Sequence, residues 1–413
     1  MRILWVKAGK LLPVDTGGKI RSYNILRHLA RSHDVTLLSY YGGKPDPAYE
    51  SDLRQEFAGA QSICTEILDG NVLFRSLGYG RRFLQAAPFA VSNFTHPEVR
   101  RVVARLLREQ EFDVAVCDFL AASLNFPDIL STPTILFQHN VETALWRRRA
   151  LTESSKTRRL VYRIEANKMA RYERATLGKF HHVIAVSEHD RQQLLAMAPQ
   201  CDISVARTGV DTQKYSVGPA ATAHPPLIIF TGSMDWEPNV DAVAFFCRDI
   251  FPRVLAEFPS TRFQIVGRDP HPTVRQLASD SVEVTGRVPS VTEYLRDATV
   301  VAVPLRIGGG TRLKIYEAMA MGKALVSTSI GAEGLDVQSG RDLILADDPA
   351  QFAEAINLLL RDATVRSLYE QAAAKLAAQH DWSVIARDFA AVLKQVSNRA
   401  DTQSEGNALS SKL

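Results

Sequence analysis

The chain has 413 residues, 46% apolar and 23% charged, with a net charge of only +4. Its balance excludes a disordered polyelectrolyte, and its length exceeds the usual size of one core, so two domains are expected. Four scattered cysteines, Cys64, Cys117, Cys201 and Cys247, exclude a disulfide scaffold or a cysteine metal motif, and no run reaches the roughly 18 apolar residues of a membrane span.

The first apolar run, Arg2–Val6, is followed by Lys7 and Lys10, which interrupt it too early for a signal peptide. A reducing, cytoplasmic setting is therefore expected, with at most peripheral contact at the inner face of a membrane. The loop after this strand ends Pro13-Val-Asp-Thr-Gly17-Gly18 and enters a helix, Lys19–Arg31, that carries Lys19 and Arg21. It reads as a phosphate-facing helix start or simply as a flexible connection. Further strands are expected at Asp34–Ser39, Ser62–Ile67, Asp113–Val116, Thr134–Phe137, His182–Val186 and Ile203–Ala206, with helices at Pro97–Glu109 and Glu188–Met197. Alternation of this kind predicts a parallel sheet built from βαβ units. Cys117, in an apolar run, reads as a small buried hydrophobe.

Thr134–Phe137 runs into Gln138-His139-Asn140-Val141-Glu142. A histidine at a strand's carboxyl end can exchange a proton near neutral pH, or serve structurally by bonding a backbone carbonyl. Residues 145–179 then carry eleven lysines and arginines against three glutamates, so the remainder of the chain is net negative. They read as a long solvated helix with Leu160, Val161, Ile164 and Met169 turned inward, or as a face for anionic lipid headgroups. Nucleic acid is not expected, since no binding motif or aromatic interleaving accompanies the charge.

Residues 215–226 are proline-rich and aperiodic, an expected linker and hinge between domains 1–214 and 227–380. In the second half strands are expected at Leu227–Phe230, Arg262–Val266, Val282–Thr285, Thr299–Val303 and Ala324–Ser327, with a weak one at Leu343–Leu345. Helices are expected at Asn239–Phe258, Val291–Arg296, Thr311–Met321 and Gln351–Asp362, the last capped by Asp347-Asp348. An amphipathic helix, 381–396, and a polar, disordered tail, 397–413, close the chain.

Open α/β sheets bind ligands at the carboxyl ends of their strands. Four such loops here carry glycine or charge: Gly232-Ser233, Gly267-Arg268, Gly286-Arg287-Val288 and Pro304 to Gly322. The last is the most informative. It holds a glycine triplet with Gly309 and Gly310, then Thr311, Arg312, Lys314 and Glu317. Glycines admit a close ligand, helix-start N–H groups and two cations attract a diphosphate, and a carboxylate can take a ribose diol. Metal chemistry finds little support: His181 and His182 face opposite sides of a strand.

The order and spacing of these elements resemble the retaining glycosyltransferases of family GT4. The likeness covers Gly17-Gly18, His139-Asn-Val-Glu142, Val186-Ser-Glu188, Thr208-Gly-Val-Asp211, Thr231-Gly-Ser233, Ile265-Val-Gly267, Val284 to Val288, Glu317-Ala-Met-Ala320 and Gly331-Ala-Glu-Gly334. It implies the GT-B fold: two Rossmann-like domains facing a cleft, the C-terminal helix crossing back onto the first. It further implies a sugar-nucleotide donor in the second domain and a hydroxyl acceptor in the first, with no cofactor or metal, in surface polysaccharide or glycolipid synthesis. Glu317 matches the second carboxylate of the Glu-x7-Glu motif, which holds the ribose. Gly17 and Gly18 match glycines that approach the diphosphate, and His139 a histidine near the transferring sugar. The acceptor is assigned to Arg21, Asn140 and Glu142.

Two departures stand out. Gly309 replaces the first glutamate, and Trp236-Glu-Pro-Asn239 stands where a lysine often follows the Gly232 loop. Arg312 and Lys314 are expected to replace that charge. Other readings are a sugar-nucleotide epimerase or phosphorylase, or a non-catalytic nucleotide-binding partner. A dinucleotide dehydrogenase lacks its glycine fingerprint.

Overall fold

Continuous apolar runs form strands that are buried on both faces and pair in parallel, as crossover helices require. The computed structural model describes residues 1–65, 86–218, 225–307 and 312–410, with side chains described to residue 399. The chain divides into two compact units, Met1–Arg207 with Ile385–Leu413, and Thr208–Val384.

The first unit holds a seven-stranded parallel sheet: β1 (Arg2–Ala8), β2 (Asp34–Gly42), β3 (Gln61–Thr65), β4 (Val114–Asp118), β5 (Thr134–Phe137), β6 (His182–Ala185) and β7 (Ile203–Val205). Its order is β3-β2-β1-β4-β5-β6-β7. Successive strands step outward from β1 on one side, and from β4 on the other. The crevice at the carboxyl ends of β1 and β4 is therefore the switch point, where doubly wound sheets take ligands.

The second unit repeats the plan with β8 (Leu227–Thr231), β9 (Arg262–Val266), β10 (Val282–Gly286), β11 (Val300–Val303), β12 (Ala324–Ser327) and β13 (Ile344–Leu345). The order β10-β9-β8-β11-β12-β13 puts its switch point between β8 and β11. Asp348 caps the helix Pro349–Arg361 by accepting from the amides of Ala350 and Gln351, at 2.8 and 3.1 Å.

The last helix, Trp382–Ser410, changes unit after Val384. Within the first unit its Phe389 is fully buried, with ring centroids 5.6 Å from Trp5 and 5.0 Å from Phe137.

Several expectations are corrected. By their contacts the units join at Arg207–Thr208 and Val384–Ile385. The tail expected to be disordered from residue 397 is helical to Ser410, and Arg399 pairs with Asp202. The single helix expected at Asn239–Phe258 is three pieces, Glu237–Phe245, a π turn Phe246–Ile250 and Phe251–Glu257. Pro252 lies at the start of the third; a ring nitrogen without hydrogen interrupts the helical ladder there. The basic stretch is two helices, Glu142–Thr152 and Lys156–Leu177, and Leu160 is exposed rather than inward. Helices Pro47–Glu56 and Ala363–Gln379 were not anticipated. Among the described residues no helix is long and apolar enough to cross a membrane.

Candidate functional site

In the second unit, β8 ends at Thr231 and the chain turns through Gly232 and Ser233. The Gly232 amide donates to Val266 O (3.0 Å), the last residue of β9. The two glycine turns touch backbone to backbone: a Cβ on Gly267 would lie 1.6 Å from Gly232 O. No side chain fits there. Arg268 Nε donates to Ser233 Oγ at 3.0 Å. Arg287 is exposed and reaches this edge only through Asp269, at 3.7 Å, while Val288 packs on the unit's core.

The helix expected from Thr311 begins at Leu313, with Arg312 as its N-cap residue. Lys314 Nζ donates to Asn239 Oδ1 (3.0 Å) and stands 3.9 Å above the Phe230 ring. Asn239 in turn donates from Nδ2 to Ser233 O at 2.8 Å. A Cβ on Gly232 would meet Asn239 Nδ2 at 2.6 Å and Lys314 Nζ at 2.9 Å. The ammonium therefore sits directly against the glycine turn. Burial first, and then the neighbouring Arg312, lower its pKa to about 7, with Glu317 opposing them. Arg312 is 4% exposed, its guanidinium 5.6 Å from the Trp236 ring.

Glu317 lies little more than one turn into this helix, and burial raises its carboxyl above the usual range. Tyr215 hydrogen-bonds it, while Lys214 and Lys314 also lower it. Gly309, Gly310 and Thr311 lie outside the described residues.

In the first unit, the network lies at the ends of β1 and β4. Asp118 Oδ2 accepts from Lys7 Nζ (3.1 Å) and Trp5 Nε1 (3.0 Å), while Oδ1 is 2.7 Å from His139 Nε2. Lys7 also donates to Ser22 Oγ at 3.3 Å. Burial alone would raise the Asp118 carboxyl; Lys7 and His139 outweigh it and hold it well below the ordinary carboxylate range. Arg21 Nη1 lies 3.1 Å from His139 Nδ1. The Nε2–H donates to the carboxylate, so Nδ1 accepts from Arg21, and burial lowers the imidazole to about 4.

His139 is thus neutral at pH 7 with both nitrogens engaged. Its ring is sandwiched against Phe119 at 3.8 Å and beside Phe137 at 4.3 Å. Both ring nitrogens are engaged by side chains, Asp118 and Arg21, rather than by a backbone carbonyl.

Gly17 and Gly18 open the helix Gly17–Leu29. A Cβ on Gly18 would lie 2.7 Å from Phe119 Cζ, which accounts for glycine at that position. Phe119 itself holds a left-handed backbone, φ +76°, a strained conformation for an aromatic residue. Glu173 accepts from the amides of Glu142 and Thr143, both at 2.9 Å, fixing the start of the helix that carries Glu142. Asn140 bonds the Glu142 side chain. Among the described residues no group of three histidine, cysteine, aspartate or glutamate side chains is arranged to hold a metal ion.

Two family models match, together spanning most of the chain. Residues 16–214 fit Glycosyltransferase Family 4, and residues 225–362 fit Glycosyl transferases group 1. The chain belongs to the family 4 glycosyltransferases. It is 26% identical over 313 residues to the phosphatidyl-myo-inositol mannosyltransferase of Mycolicibacterium smegmatis, covering 73% of this chain and 76% of that one. It is 21% identical to a 44.6 kDa protein in the cps region of Klebsiella pneumoniae, covering 86% and 90% respectively. Among solved structures, Anabaena Alr3699/HepE in complex with UDP superposes with a TM-score of 0.65 at 16% identity, over 96% of this chain and all of that one. The glycosyltransferase therefore has the GT-B fold.

Within each unit the structure gathers most of the expected residues. Gly232, Ser233, Gly267, Arg268, Arg312, Lys314 and Glu317 flank the second switch point; Gly17, Gly18, Arg21 and His139 flank the first. Four residues of this glycosyltransferase were missed: Lys7, Asp118, Asn239 and Tyr215. Lys7 carried a signal, being a cation directly after the apolar run Ile3–Val6. Asp118 closes an apolar strand, and Asn239 lies in the stretch replacing the family's lysine. Tyr215 had none, because its partner Glu317 is far along the chain.

Proposed function

We propose that this glycosyltransferase moves a sugar from a nucleoside diphosphate to a hydroxyl acceptor with retention at the anomeric carbon, in polysaccharide or glycolipid synthesis. The observation that carries the reading is Lys314, a buried ammonium held by Asn239 against the Gly232 turn, with Arg312 and Glu317 beside it. Two buried cations at a glycine turn suit a diphosphate, and Glu317 suits the ribose diol. Negative charge grows on the leaving diphosphate as the glycosidic bond breaks, so fixed cations there act most strongly on the transition state. On this account no divalent metal is required. The UDP bound to the Anabaena neighbour supports a nucleoside diphosphate ligand, and the first unit, with Arg21, Asn140 and Glu142, supplies the acceptor side.

Thermal unfolding with UDP, GDP, ADP and CMP tests the donor site. A ligand at about 100 times its dissociation constant adds roughly 2.7 kcal/mol to the unit that binds it. One nucleoside diphosphate should stabilise the wild type but not Glu317→Ala, and its sugar should then be transferred in chelator with an unchanged anomeric configuration. No stabilisation by any nucleotide would overturn the donor site. Binding without transfer to any hydroxyl would favour the non-catalytic reading.

The two basic helices are proposed to rest on an anionic membrane surface at the cytoplasmic face. Leu151 and Leu160, 82% and 58% exposed, flank their connection, with Arg147, Arg148, Arg158 and Arg159 around them. Cosedimentation should be strong with phosphatidylglycerol vesicles, weak with phosphatidylcholine, and lost in Arg158→Glu/Arg159→Glu. Equal partition to both vesicles would refute it.

A further inference from the structure

Beside the first unit's network is a cavity of about 290 Å³, lined by Ala90, Val91, Phe94, Phe119, Leu120, Ala121 and Met169, with Glu142 its one carboxyl among the described residues. Phe119 stacks on His139, with Gly18 and the Lys7 ammonium also beside its ring, so the cavity is one ring away from the Arg21–His139–Asp118 network. Its described lining does not suit a glycan: sugar hydroxyls seated there would lose water and find a single carboxyl among the described side chains. An apolar segment loses nothing by entering. Phe94, 39% exposed, extends the apolar lining toward solvent.

We propose that this cavity receives the hydrocarbon part of the acceptor, with Glu142 at its wall bonding the acceptor's hydroxyl. The inference rests on the reading of the first unit as the acceptor side, and it assigns the acceptor a class: an alcohol or glycoside with an apolar tail. Glu142 suits the contact. Burial first, and then Glu173, raise its carboxyl to about 7, so near neutral pH it can donate to or accept from a hydroxyl. The bond from Asn140 and the Glu173-bound helix start hold it in place.

The test uses the full chain with n-octyl β-D-glucopyranoside, below its micellar concentration, and methyl β-D-glucopyranoside, alongside UDP. The octyl glycoside should bind at least about tenfold tighter than the methyl one, since only it has methylenes to bury. Ala121→Trp and the smaller change Ala90→Leu, which both fill the cavity, should each weaken octyl binding by about tenfold while the UDP-induced stabilisation persists. Glu142→Gln should flatten the pH dependence of octyl binding between pH 6 and 8. Equal affinity for the two glycosides, or octyl binding that survives both filled variants, would overturn the cavity's role. Octyl binding as expected in a protein that no nucleotide stabilises would overturn the acceptor assignment through the transferase reading rather than through the cavity.

Discussion

Lys314→Met should leave the second unit folded yet lower turnover by about two to three orders of magnitude, the usual result of removing one well-placed transition-state donor, about 2.7–4 kcal/mol. The side chain stands over Phe230, so a methionine can occupy its path without stranding a charge. What is lost is the ammonium beside Gly232. The same group gives a second readout. With its pKa lowered to about 7, free Lys314 is only partly protonated at neutral pH. A diphosphate favours the charged form, so binding at pH 7 should take up about half a proton, and affinity should fall as pH rises through 7. Calorimetry in buffers of different ionisation enthalpy measures that uptake directly. A Met variant with turnover within a few-fold of wild type, or binding without proton uptake, would remove Lys314 from the diphosphate site.

Asp118→Ala should cost the first unit about 3–5 kcal/mol, read from denaturant unfolding, because it strands a buried cation. Lys7 is 3% exposed and Asp118 is its salt-bridge partner, at 3.1 Å; Trp5 Nε1 and His139 Nε2 lose their acceptor too. Against total stabilities of about 5–15 kcal/mol this is a large fraction. The acid dependence follows in sign. A carboxyl held below its unfolded value stabilises fully above that value, about 3.9, and the contribution is lost as pH falls through the folded pKa. Wild-type stability from this group should therefore hold from pH 7 to 5 and decline below about 4. Asp118→Asn should lose that acid-side slope. An alanine variant as stable as wild type would show that the cluster contributes no net stability.

Much of the architecture could be read from period and punctuation alone. Val114–Asp118 and Leu227–Thr231 are runs of wholly buried residues, and glycine follows the latter at Gly232. Helices with clear signals, such as Pro97–Glu109 with its N-terminal proline, fell where expected. What escaped depends on distance along the chain. His139 looked free to exchange protons because nothing near it in sequence shows that Asp118 and Arg21 occupy its two nitrogens. The place of Lys314 depends on Asn239, 75 residues earlier. The break after Thr152 was hidden by uniform charge, since eleven cations gave one reading for two helices.

The last helix sets the order in which the molecule can be completed. Trp5 and Phe137 leave the ribosome early, yet the ring that lies against both, Phe389, is made only after the whole second unit. Domains ordinarily fold in the order of their synthesis. Here the first unit waits with an unfilled place in its core until the whole of the second has been translated. A chain that stops short of residue 385 carries every candidate donor and acceptor residue and still lacks a finished amino-terminal core.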